Sequence, residues 1–86
     1  MYIILVYDMG ERRVNKMLKL CRKYLSWIQN SVFEGEISEG QLLALKASAK
    51  NIIKDEDSLI IFNSRKEKWL DKEIIGQERA STDVFL

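Results

Sequence analysis

The sequence predicts an α+β domain: two helices packed on one face of a mainly antiparallel sheet, in the order β-α-β(β)-α-β with one or two added strands. Three observations lead there. Two short apolar runs, Met1–Asp8 and Ser58–Asn63, are rich in β-branched and aromatic residues and too short for ordinary helices. Two longer stretches, about Glu11–Leu25 and Leu42–Ile53, carry apolar residues at helical spacing. The chain has 86 residues, enough for one small core and too few for two.

The first run, MYIILVYD, is nearly continuous in apolar residues and reads as a central strand covered on both faces or nearly so; Met9-Gly10 then lets the chain turn. In the helix that follows, Val14, Met17, Leu18, Cys21 and Leu25 form one stripe, and Arg12, Lys16, Lys19 and Lys23 fall on the opposite side. Trp27–Ile37 is strand-like with a break near Asn30-Ser31, consistent with one bent strand or a tight hairpin. Within it Glu34 and Glu36 share one side, Phe33 and Ile37 the other. Ser38 and Gln41 have capping-box spacing ahead of Leu42, Leu45, Ala49, Ile52 and Ile53. Asp55-Glu56-Asp57 reads as a polar loop, Lys72–Ile75 as a short strand ending at Gly76, and Thr82–Leu86 as a terminal strand. The expected division is a domain over 1–76 and a C-terminal extension over 77–86. Two layers of this size leave one sheet face bare, so a homodimer is expected, its terminal strands pairing with a partner's sheet edge.

Composition narrows the chemistry. The chain has no histidine, which removes Ser-His-Asp and Cys-His nucleophiles, most zinc sites and the usual near-neutral acid/base. No glycine-rich phosphate loop is present. One cysteine, no run long enough to span a membrane and no signal-peptide pattern point to a reducing, cytoplasmic setting with no membrane partner. Net charge is only +1, but residues 1–30 hold six basic and two acidic side chains, while residues 31–57 hold three and six. The basic excess is thus concentrated on the first helix, and carboxylates, arginines, hydroxyls and a hard metal must carry any reaction.

Asp8, at the end of a rigid strand, has two readings: a cap for the following turn, or a ligand for Mg²⁺, which accepts one or two carboxylates and keeps several waters. A two-fold axis near the strand end would bring two copies of it together. The ridge Arg12, Lys16, Lys19, Lys23 is either a solvated helix face or a phosphate-binding stripe; six bases without an acid between Arg12 and Lys23 favour the stripe. Gln29–Gly35 could satisfy turn groups and fill the core with Phe33. Trp27, Trp69 and Cys21 are best explained by packing.

Tyr7-Asp8 closing the first strand, Arg12-Arg13 opening the helix, the segment Gln29-Asn30-Ser31-Val32-Phe33-Glu34-Gly35, and Asp57-Ser58-Leu59 before the later strand occur together here. In this combination the chain resembles the small adaptation-stage family of CRISPR-associated proteins, the second of the two universal core proteins of those systems and a family of metal-dependent endonucleases. The resemblance implies a ferredoxin-like fold (β-α-β-β-α-β) with an extra C-terminal strand that joins the partner's sheet. It implies a Mg²⁺ site shared by the Asp8 residues of two chains. Arg12, Arg13, Ser31 and Phe33 match family positions linked with activity or substrate contact. It further implies docking onto the CRISPR adaptation integrase and holding of the duplex to be inserted. Three functions follow as alternatives: a Mg²⁺-dependent endonuclease on single-stranded RNA or double-stranded DNA, a non-catalytic DNA-binding adaptor, and a toxin-type ribonuclease of the same fold.

Overall fold

The structure, a computed structural model, describes residues 1–64 and 73–79. Its elements are β1 (Tyr2–Asp8), α1 (Glu11–Arg22), β2 (Ser26–Gln29), β3 (Val32–Glu36), α2 (Glu39–Ile52) and β4 (Ser58–Ser64). The strands lie in the order β2-β3-β1-β4, and each neighbouring pair is antiparallel. This is the expected ferredoxin-like sandwich, with both helices on one side. The most apolar strand, β1, sits in the middle, where β3 and β4 together pair its backbone polar groups on both edges.

Alternation along β1 sorts its side chains. Ile3, Leu5 and Tyr7 are buried under the helices with Phe33 and Ile37, while Ile4, Val6 and Asp8 take the other face. Val32, Glu34, Ile60 and Phe62 share that second face by register. Tyr2, at the start of this face, is buried, whereas Ile60 and Phe62 remain 51% and 55% exposed, so among the described residues the face is open on its β4 side.

The strand-or-hairpin question resolves as a hairpin. Gln29 pairs with Val32 across a two-residue turn, and Asn30 adopts a left-handed conformation (φ 46°) that asparagine tolerates. A bulge lies between Trp27 and Gln29. Gly35 lies close under Leu25: a Cβ there would lie 3.3 Å from Leu25 Cδ2, tight enough to shift that methyl by a few tenths of an ångström.

The Ser38–Gln41 capping box forms in full, each residue's side chain bonding the other's backbone. Helix α1 departs from the expectation in two ways. It ends at Arg22 rather than Leu25, because the Lys23 and Tyr24 amides bond three residues back and tighten the last turn, folding Leu25 into the core. Its buried side is rotated toward Leu20, which the predicted stripe omitted; Val14 and Leu18 are only half-buried. The strand expected at Lys72–Ile75 is corrected over its described part: Glu73–Ile75 are not in a strand, and Ile75 is 90% exposed. Lys72, Trp69 and the terminal strand Thr82–Leu86 lie outside the described residues. No helix among the described residues is long and apolar enough to cross a membrane.

Candidate functional site

The C-terminal end of β1 gathers most of the residues singled out from the sequence. Asp8 is the last residue of the strand, exposed, on the open sheet face, and in register with Ser58 of β4. The backbone N–H of Tyr7 donates to the Ser31 carbonyl at 3.2 Å, which sets the hairpin turn beside the same strand end. After Met9-Gly10, α1 begins, so Arg12 and Arg13 follow Asp8 by four and five residues, in the first turn of the helix. Asp8 has no ion-pair partner among the described residues, where no cluster of three or more metal-ligating side chains occurs either. A lone, exposed, unpaired carboxylate on an open face fits a metal site completed by a second copy, since Mg²⁺ needs few protein carboxylates.

The two neighbouring arginines have opposite environments. Arg12 is exposed and begins the ridge, followed by Lys16, Lys19 and Lys23, all exposed. None of these four, nor Arg22, forms an ion pair among the described residues. From Arg12 to Lys23 the ridge is about 16 Å long at 1.5 Å per residue, the length of roughly five phosphates along one strand.

Arg13 instead turns inward. Its Nε donates to Asp57 Oδ2 at 2.7 Å and its Nη2 to Asp57 Oδ1 at 2.9 Å and Glu56 Oε2 at 2.8 Å. The fork of Arg13, which the resemblance linked with activity or substrate contact, is thus filled by carboxylates of its own chain. Phe33, linked in the same way, also faces inward. Its side chain is completely buried and lies against Tyr7, ring centroids 6.0 Å apart and planes 23° from parallel, so it has no surface to offer a substrate.

Asp57 was the residue the sequence hid. Read as one of three loop acids, it has a side chain with no exposed surface. Besides Arg13 it accepts from the Gly10 and Lys54 backbone N–H groups, each at 2.9 Å. The Arg13 hydrogen bonds, aided by those two amides, hold its carboxyl well below the usual carboxylate range. The same pairing raises Arg13 above its ordinary value. Asp57 also supplies what α1 lacks, since its N-cap Gly10 has no side chain and the carboxylate arrives at the helix N-terminus from the α2–β4 turn. The sequence signals were its place in Asp57-Ser58-Leu59, which the resemblance includes without a role, and its position: of the three acids, Asp57 alone abuts a strand.

Burial pushes the Cys21 thiol up to about 12, consistent with a packing role rather than a reactive one.

Comparison with known proteins places this arrangement. Residues 1–72 match the family model described as CRISPR associated protein Cas2. The chain is 46% identical to a CRISPR-associated endoribonuclease Cas2 of Fusobacterium nucleatum, over all of this chain and 87% of that protein. It is also 46% identical to a protein of the same name from Dictyoglomus turgidum, covering both chains completely. A crystal structure of a Cas2 protein superposes with a TM-score of 0.88 at 40% identity, covering 100% of this chain and 98% of that one.

Proposed function

This chain belongs to the CRISPR associated protein Cas2 family, and we propose that it is a homodimeric, Mg²⁺-dependent endonuclease of spacer acquisition that also scaffolds the adaptation integrase. The observation that carries the reading is Asp8, exposed and unpaired at the end of β1 on an open sheet face, with the unpaired ridge of α1 starting four residues later. Two chains packed through Ile4, Val6, Ile60 and Phe62 would cover that face and bring their Asp8 carboxylates toward a common axis. Segment 77–86 would extend to the partner's sheet edge.

The two Asp8 residues would hold the ion, and Mg²⁺ bound there supplies positive charge to a phosphate that gains negative charge during cleavage. The rest of the work falls to the chain. Arg12 neutralises the phosphate next to the scissile one, and Lys16, Lys19 and Lys23 track the backbone beyond it, without reading base edges. Ser31, half-buried beside the strand end, offers a hydroxyl to orient a phosphate oxygen or a water. Single-stranded RNA is the first substrate to try, in line with the endoribonuclease name of the two relatives; double-stranded DNA suits the same ridge.

A second reading has its own support: five unpaired cations on α1 against a single isolated carboxylate suit a grip more than a cutting centre. In that reading the dimer binds duplex DNA for the integrase and cleaves nothing. Wild type and Asp8→Asn, each verified as a dimer, are compared with Mg²⁺ or EDTA for binding and cleavage of both nucleic acids. The nuclease requires cleavage to fall about 100-fold in the variant, as loss of a metal ligand demands, with binding intact. Equal behaviour of the two proteins leaves the adaptor.

A further inference from the structure

Asp57 has a far more elaborate environment than a loop acid needs. Its buried carboxylate receives four hydrogen bonds, two from Arg13 and one each from the Gly10 and Lys54 amides, so both oxygens are doubly engaged. These contacts join the segment just after Asp8 to the residue just before β4, where Ser58 is the register partner of Asp8. The Arg13 N–H donates to the Gly10 carbonyl at 3.0 Å, closing the loop from Gly10 through Arg13 back to Asp57. Gly10 is part of the fit: a Cβ there would lie 2.7 Å from Arg13 Nη2, and that nitrogen cannot swing away without leaving Asp57. On the other side, the Tyr7–Ser31 bond holds the strand end against the hairpin.

We infer that Asp57, with Arg13 and Gly10, is a brace that positions Asp8, so that the metal affinity of the site depends on a carboxylate that never touches the metal. The inference rests on the reading of Asp8 as a metal ligand. Asp8 itself makes no ion pair among the described residues that would fix its direction, so its placement comes from the backbone on either side. Tyr7 and Ser58 are set by the sheet, and the turn at Gly10 is set by Asp57. A ligand shared across a two-fold axis needs this more than most, because any error in one chain is repeated in the other. Arg13 is then a positioning residue, and Arg12 alone of the pair faces phosphate.

The test measures Mn²⁺ binding to the purified dimer by electron paramagnetic resonance titration, well below the melting temperature. Wild type, Asp8→Asn, Asp57→Asn and Gly10→Ala are compared, with circular dichroism and sedimentation confirming fold and dimer. Second-sphere groups typically control metal affinity by 10–100-fold. Asp57→Asn and Gly10→Ala should each weaken Mn²⁺ binding about 10-fold or more, while metal-free binding of single-stranded RNA stays within about twofold of wild type. A group serving stability alone would leave Mn²⁺ affinity unmoved in folded protein. Loss of binding in Asp8→Asn with wild-type affinity in the other variants overturns the brace. Equal affinity in wild type and Asp8→Asn overturns the metal reading instead. Should Asp57→Asn fail to fold, Gly10→Ala, which keeps every charge, decides by the same criteria.

Discussion

The two faces of this one sheet both carry apolar side chains and meet different surroundings. Under the helices, Ile3, Leu5 and Phe33 are wholly buried, and Tyr7 and Ile37 nearly so. Across the same strands, Ile60 and Phe62 keep more than half of their surface in water. Alternation dictates which residues share a face, but only amphipathic partners decide which face is covered. Both helices of this chain go to one side, and on the other the described residues leave Ile60 and Phe62 uncovered. A single mutation on each face should therefore produce effects of different kinds. Phe33→Ala removes a fully buried ring and should cost about 3–5 kcal/mol in urea unfolding. Phe62→Ala should change the stability of the monomer by about 0.5 kcal/mol or less and shift the monomer–dimer balance in sedimentation. Equal losses from both variants in the monomer would erase the distinction between the faces.

How far the sequence carried this picture depends on the distance over which each feature is determined. The apolar run of β1, the capping box of Ser38 and Gln41, and the opposed sides of Phe33 and Glu34 are local patterns, and all appear as read. The end of α1 was missed by three residues, because Leu25 is apolar in phase with the helix yet enters the core after a tightened turn. Leu20 was missed because the buried side of α1 is set by the sheet and α2, not by the centre of its own stripe. Arg13 could not be told from Arg12 without its partner, which lies 44 residues away. A buried ion pair is a tertiary fact. Phe33 shows the reverse: its packing role was legible from periodicity, and the resemblance had pointed instead toward the substrate.

The contrast between closed and open surfaces recurs in two aspartates at one end of the sheet. Asp57 is sealed and paired; Asp8 is exposed and unpaired. Because the Arg13 hydrogen bonds depress the Asp57 carboxyl in the folded protein, its contribution to stability is complete above the ordinary aspartate value of about 4 and is lost as pH falls through the lower folded value. Thermal melts at pH 5 and pH 3 should show a larger drop for wild type than for Asp57→Asn. An equal drop in the two proteins would mean that the buried pairing does not carry the acid response.

The smallest expected effect is also the sharpest separation of the two faces. Cys21 has no exposed surface and lies in the helix-side core, with its thiol pushed up to about 12 by burial, so a thiol reagent at pH 8 can reach it only when that core opens. Opening of a core that the chain closes alone is independent of what sits on the far face. Diluting the proposed dimer to monomer should then change the labelling rate by less than about twofold, because the rate follows the local opening equilibrium within one chain. Phe33→Ala supplies the positive control: a core weakened by about 3 kcal/mol and opening globally would label roughly 100-fold faster at 1.4 kcal/mol per decade. A rate that climbs on dilution would mean that the open face supports the covered one, and that folding and dimerisation of this chain are a single event.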